Sequence, residues 1–213
     1  MRVALINENS QASKNELIYK ALKDVASKFG HEVDNYGMYS QQDEQWLTYV
    51  QNGILTAILI NSGATDFVVT GCGTGIGAML ACNSFPGVIC GLAVEPSDGY
   101  LFRRINDGNA ISLPYAKGFG WGGELNISYI FEKLFSSEPG GGYPPEKQKV
   151  ERENEIILDN VRKNNFKSLI ECLEGLDQKL LRGAVSGPNF KTLFYSNAKD
   201  EALIQFVKSL IGE

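Results

Sequence analysis

Over its first 135 residues the chain alternates short apolar runs with amphipathic segments of helical length, and few architectures accept that rhythm. Arg2–Ile6 reads as a buried strand. Residues 14–28 read as a helix with Leu17, Ala21, Leu22 and Val25 on one face, closed by Gly30. Further strands are expected at 32–36, 66–70, 88–93 and 109–113. Further helices are expected at 44–61, from Ile76 onward, at 98–106 and at 123–135. Such alternation implies a parallel sheet with helices on both faces, that is, an α/β fold of Rossmann-like, doubly wound type. Ligands in these sheets bind beyond the carboxyl ends of the strands. The segments that matter for chemistry are therefore 7–11, 71–77, 95–98 and 114–122.

The Gly/Pro-rich stretch 136–145 breaks the rhythm and reads as a linker. Beyond it no clear strand is expected. Residues 146–163 read as a charged helix with a thin apolar stripe of Val150, Ile156, Ile157 and Val161, and 166–176 and 198–211 read as two more helices. Pro188-Asn189-Phe190 reads as a turn. The expected organisation is a core, 1–142, carrying a helical C-terminal extension, 143–213.

Composition removes several function classes. With 213 residues and a net charge of −5, the chain lacks the broad basic surface of a nucleic-acid binder. Its apolar runs stop well short of the roughly 20 residues that span a membrane. The N-terminal apolar run is too short for a signal peptide, so a cytoplasmic location is expected. Cys72, Cys82, Cys90 and Cys172 form no C-x-x-C pair, and His31 is the single histidine. No spacing suggests a metal site, and none is expected. A serine or cysteine hydrolase would have to be built on His31, which follows Gly30 at a helix end and reads as a surface residue.

Gly71-Cys72-Gly73-Thr74-Gly75-Ile76-Gly77 carries the chemistry. It follows an expected buried strand and opens a helix. Its alternate glycines allow a tight turn and let a ligand approach the amides. It lacks the Walker lysine and the G-x-G-x-x-G dinucleotide spacing, and it follows the third strand rather than the first. A nicotinamide-dependent dehydrogenase is thereby disfavoured, and no cofactor is expected. A thiol at a helix N-terminus gives up its proton more readily than a free one. Cys72 is thus a candidate general base, with the Gly73–Gly77 amides and the Thr74 hydroxyl as an oxyanion cradle. That pairing suits proton abstraction beside a carbonyl. Cys82, Cys90 and Cys172 read as core fillers.

The run from Phe67 to Asn83, FVVTGCGTGIGAMLACN, with Pro86-Gly87-Val88 after it, resembles the signature of the ribose-5-phosphate isomerase B / galactose-6-phosphate isomerase family. Arg103-Arg104-Ile105-Asn106-Asp107-Gly108-Asn109 resembles that family's second motif. The resemblance covers roughly 1–142. It implies interconversion of aldoses and ketoses through a cis-enediol without a metal. It makes Cys72 the enediol base, with Thr74, Gly73, Gly75 and Gly77 holding the enediolate and Asn106 meeting substrate hydroxyls. It further implies a homodimer or higher oligomer with active sites near the subunit interface.

The departures from the family are equally specific. Its first-strand loop carries Asp-His, where this chain has Asn7-Glu8-Asn9-Ser10. Glu8 and Asn9 are the substrate-binding candidates there. The ring-opening histidine of the second motif aligns with Ile105, which transfers no proton. The arginines that clamp the family's phosphate have no counterpart in the stretch from Gly140 to Pro145. These losses suggest an open-chain, unphosphorylated substrate, a sugar or sugar acid, with Arg103 and Arg104 as candidate carboxylate ligands. The long tail and the missing histidines resemble a branch of the family that isomerises 4-deoxy-L-threo-5-hexosulose uronate from glycosaminoglycan disaccharides to a 2,5-diketo acid. Two alternatives stand beside it. One is a pentose- or hexose-phosphate isomerase with a phosphate site relocated to Lys147, Lys149 or Arg152; the other is a non-catalytic sugar-binding module. Trp46, Tyr49 and Leu55 read as one helix face, and Trp121 as a packing residue.

Overall fold

The computed structural model describes residues 1–212. Five strands, β1 (Arg2–Ile6), β2 (Glu32–Asn35), β3 (Phe67–Cys72), β4 (Cys90–Leu92) and β5 (Ala110–Pro114), form one sheet in the order β2-β1-β3-β5-β4. Every pairing is parallel. The helices of the core are α1 (Asn15–Lys28), α2 (Tyr49–Asn61), α3 (Ile76–Asn83), α4 (Pro96–Leu101) and α5 (Gly123–Ser136).

Side-chain alternation along the strands divides the core into two layers. Ala4, Ile6, Val68 and Ala110 join the apolar cluster on the α2 side, with Ile54, Leu55 and Ile58 of α2. Val3, Leu5, Val69, Ile111 and Leu113 join the cluster on the other side, with Ile18 and Leu22 of α1 and Ile130 and Phe131 of α5. Helices on both faces explain why β1, β3 and β5 read as nearly continuous apolar runs. The doubly wound architecture expected from the alternation is the one observed.

Several boundaries differ from the sequence reading. The helix expected from residue 44 begins at Tyr49, because Thr48 and Gln51 form a reciprocal capping box. The stretch before it folds as a loop in which Asp43 accepts from the amides of Tyr39 and Ser40. Trp46 is consequently exposed and only Leu55 of the expected face is in the core. The helix expected at 98–106 is α4 followed by a π-helical turn, Phe102–Asn106. Trp121 packs against nothing and is fully exposed.

The tail contains α6 (Gln148–Asn165), α7 (Leu169–Glu174), α8 (Gln178–Val185), α9 (Pro188–Asn197) and α10 (Glu201–Ile211). Pro188 opens a helix rather than making a turn, since proline at the first helical position sacrifices no hydrogen bond. Leu173, Leu181, Val185, Phe190, Phe194 and Val207 extend the α2-side cluster. Helix α6 behaves differently: none of its 18 residues is buried.

Candidate active site

The strand order reverses between β1 and β3, since the chain steps from β1 to one neighbour and later returns to the other. A crevice opens at the carboxyl ends of strands flanking such a point. Glu8 follows β1 and Cys72 ends β3.

Two features of the Cys72 loop force its shape. At Gly71 a Cβ would lie 2.3 Å from the Tyr115 ring, so no larger residue fits. Gly75 has φ +74° and caps α3 from the left-handed region, where only glycine is unstrained. The Ser112 hydroxyl donates to the Gly75 carbonyl at 2.7 Å and pins the turn to β5. The Gly73 carbonyl accepts from the amides of Ala116 and Lys117. Beside Gly73 itself the space is open, with the nearest atom to a built Cβ at 3.8 Å. No backbone acceptor among the described residues takes the N–H of Gly73, Thr74 or Gly75. Thr74 is exposed and its hydroxyl accepts from the Ile76 amide at 3.3 Å.

Cys72 is 7% exposed. The Tyr115 amide donates to its carbonyl, and the buried Tyr115 hydroxyl donates to the Thr70 carbonyl at 3.2 Å. Burial, and then the negative charge available on Cys72 and on Glu8, push the Tyr115 phenol far above its usual range. That phenol keeps its proton. Thiol, carboxylate and phenol thus converge at one end of the sheet. Glu8 is 5% exposed and caps the following 3-10 turn by accepting from the Ser10 amide at 2.8 Å and from the Ser10 hydroxyl. Asn9 stands beside it, half-buried, its amide donating to the Leu47 carbonyl. Asn7, also 1% exposed at this strand end, has both side-chain polar atoms without a partner among the described residues.

The residues of the second motif are placed elsewhere. Arg103 lies over the Phe67 ring at 5.6 Å and donates to the Gly108 carbonyl, with Asp107 at 3.3 Å. Phe67 starts β3 and Cys72 ends it. At about 3.3 Å per residue, the two are roughly 16 Å apart. Asn106 is exposed at the same far edge, in a cavity of about 520 Å³ between α6 and β4. Within one chain, then, Arg103 and Asn106 do not meet Cys72, because they precede β5 while Cys72 ends its neighbour. Arg104 is also committed, donating to the carbonyls of Gly142 at 2.8 Å and Gly141 at 2.9 Å. Of the candidates for a relocated phosphate site, Arg152 pairs with Asp107 at 3.0 Å and Glu155 at 2.6 Å. His31 stands at that edge too, its ring edge-on to Phe135. Cys82 and Cys90 are buried in the core.

The sequence reading missed Tyr115 and the pair Gln11 and Lys14. Segments 7–11 and 114–122 were marked by their strand ends, but their side-chain pairing is tertiary. No group of three or more metal-ligating side chains occurs among the described residues, and no helix there is long and apolar enough to cross a membrane.

This arrangement has relatives. A crystal structure of a 4-deoxy-L-threo-5-hexosulose-uronate ketol-isomerase complexed with a tartrate is 55% identical over 100% of both chains, with a TM-score of 0.98. A ribose-5-phosphate isomerase from Vibrio parahaemolyticus is 49% identical over 99% of both chains, with a TM-score of 0.96. Ribose-5-phosphate isomerase B of Escherichia coli K12 is 30% identical over 84 residues, and the match spans 54% of that protein's length. Residues 165–210 match a second family described as Ribose-5-phosphate isomerase. Residues 3–132, which include the Cys72 loop, match the Ribose/Galactose Isomerase family, and the chain belongs to that family of sugar isomerases.

Proposed function

We propose that the chain is a metal-independent ketol-isomerase that works through a cis-enediol on an open-chain keto sugar acid, such as 4-deoxy-L-threo-5-hexosulose uronate. The observation that carries this reading is the Cys72 thiol set beside the free amides of Gly73, Thr74 and Gly75. Cys72 removes a proton from the carbon next to the substrate carbonyl. The amides hold the oxygen on which charge develops, and the same base returns the proton to the neighbouring carbon. Glu8 and Asn9 meet substrate hydroxyls. No histidine stands in the stretch from Asn7 to Ser10 or at Ile105, so the substrate has no ring to open. The 55% identity over the full length of a uronate ketol-isomerase supports the sugar-acid reading, and the tartrate bound to that protein is a dihydroxy dicarboxylate that suits the same chemistry.

The working unit is a homodimer in the cytoplasm. Ile76 and Leu80 of α3 and Tyr49 of α2 leave apolar surface exposed after the Cys72 loop, and Val150, Ile156, Ile157 and Val161 leave an exposed apolar stripe on α6. A second copy covers it and brings its own Arg103 and Asn106 toward the thiol. A second reading, isomerisation of a pentose phosphate, is favoured by the 49% identity to the Vibrio protein.

Purified protein supplied with the uronate and, separately, with ribose 5-phosphate is expected to turn over the uronate, at twice the 23.4 kDa chain mass by light scattering. Turnover of ribose 5-phosphate alone transfers the conclusion to the second reading.

A further inference from the structure

A cation beside the Cys72 loop comes from neither arginine of the second motif: it is Lys14, and its position defines the role of a neutral neighbour. The Lys14 ammonium donates to the carbonyl of Tyr115, whose amide in turn donates to the Cys72 carbonyl. It also donates to Gln11 Oε1 at 2.7 Å and rests on the Phe119 ring at 4.9 Å. No carboxylate pairs with it among the described residues.

The bond to Oε1 settles which way the Gln11 amide faces. An ammonium only donates, so it takes the oxygen and leaves Nε2 as the outward end. Nε2 lies 4.0 Å from the position of a Cβ on Gly73, the residue whose N–H is free and whose surroundings are open. Nε2 itself donates to nothing among the described residues. Gln11 breaks the helical run of the 3-10 segment with φ −125° and ψ 25°, so its side chain leaves that turn apart from its neighbours. Both side chains are half-buried, and the Gln11 amide is anchored at its oxygen only.

We infer that Gln11 Nε2 is a fourth donor of the oxyanion cradle, facing the substrate beside the Gly73 amide, and that Lys14 is the residue that positions it. Lys14 polarises the Gln11 amide and places a positive charge at a site built for an anionic sugar acid. A substrate oxygen between Gly73 and Gln11 then receives donors from two elements, the β3 loop and the turn after β1. This inference rests on the proposed site for an open-chain acid, and its test is chosen to separate the two.

The test is tartrate binding by calorimetry for the wild-type protein and for Gln11→Leu, Lys14→Met and Lys14→Arg, with melting temperatures recorded for all four. Turnover of the uronate is measured in parallel. Gln11→Leu and Lys14→Met are expected to weaken tartrate binding about tenfold or more, the size of one lost charge-assisted hydrogen bond. Lys14→Arg retains most of the affinity, because it still donates to Oε1. With the uronate, Gln11→Leu lowers kcat more than it raises KM. Unchanged tartrate affinity in a folded Gln11→Leu protein overturns the inference, as does a Lys14→Met protein that binds like wild type. Absence of uronate turnover in a wild-type protein whose tartrate binding depends on Gln11 sinks the uronate reading and leaves this inference standing.

Discussion

The two edges of the sheet carry similar inventories of polar residues and use them in opposite ways. At the amino-terminal edge the arginines are engaged within the chain. Arg103 meets Asp107 and a backbone carbonyl, Arg104 closes on the carbonyls of Gly141 and Gly142, and Arg152 bridges Asp107 and Glu155. At the carboxyl edge donors are left over. The amides of Gly73, Thr74 and Gly75 have no backbone partner, and Gln11 presents a free Nε2. Thr74 is exposed and Gly73 and Gln11 are half-buried, so these unused donors are open to a ligand beside a 7% exposed thiol. The contrast teaches that unspent hydrogen-bonding capacity is a better guide to a candidate site than charge alone.

The largest effect is expected at the open edge. Cys72→Ala removes the proposed base while leaving the turn and the capping intact, so the uronate is expected to be turned over about 10²–10⁴-fold more slowly at an essentially unchanged melting temperature. Steady-state kinetics beside a thermal melt checks this, and an unaltered kcat breaks the comparison. A sugar-binding module would keep its affinity and have no turnover to lose.

At the satisfied edge the expected response is structural. Arg104→Ala strands the Gly141 and Gly142 carbonyls that its guanidinium now covers. The loss is about 1–3 kcal/mol. For a chain of this size that lowers the melting temperature by roughly 2–10 °C. A melt as sharp and as high as wild type would show that these bonds are replaced by water at no cost.

The smallest effect belongs to His31. Burial, and then the nearby N-terminal amine, lower its proton affinity below the ordinary value of 6.5. The unfolded chain therefore binds more protons than the folded one just below pH 6.5, and folded stability declines as pH drops through that window to the lowered value. Denaturant melts between pH 7 and 5 should show a shallower decline for His31→Gln than for wild type, and identical slopes would remove this contribution.

Much of this was visible in the residues. Strands buried on both faces must be apolar throughout, so β1, β3 and β5 announced themselves, and a glycine-rich loop after such a strand announced the candidate site. The order of elements also held the placement of Arg103 and Asn106, away from Cys72 within one chain. A residue placed just before a parallel strand lies at the sheet's amino-terminal edge, whichever motif it belongs to. The tail was harder to read. Gly183, Gly187 and Pro188 punctuate it like a loop, yet Leu181, Val185, Phe190 and Phe194 find a shared core over α2, and tertiary burial outweighs local propensity. The pairing of Lys14 with Gln11 and Tyr115 joins segments about a hundred residues apart, and nothing in either segment alone foretells it.

The central claim is that Cys72 moves a proton between adjacent carbons through an enediol. Running the uronate reaction in deuterium oxide and reading the product by NMR tests it most directly. A thiol exchanges its proton with solvent, so the account predicts deuterium at the carbon that receives the proton, in a product that Cys72→Ala fails to form at a comparable rate. Product free of carbon-bound deuterium at every conversion, or labelled product formed equally fast without the thiol, would contradict it.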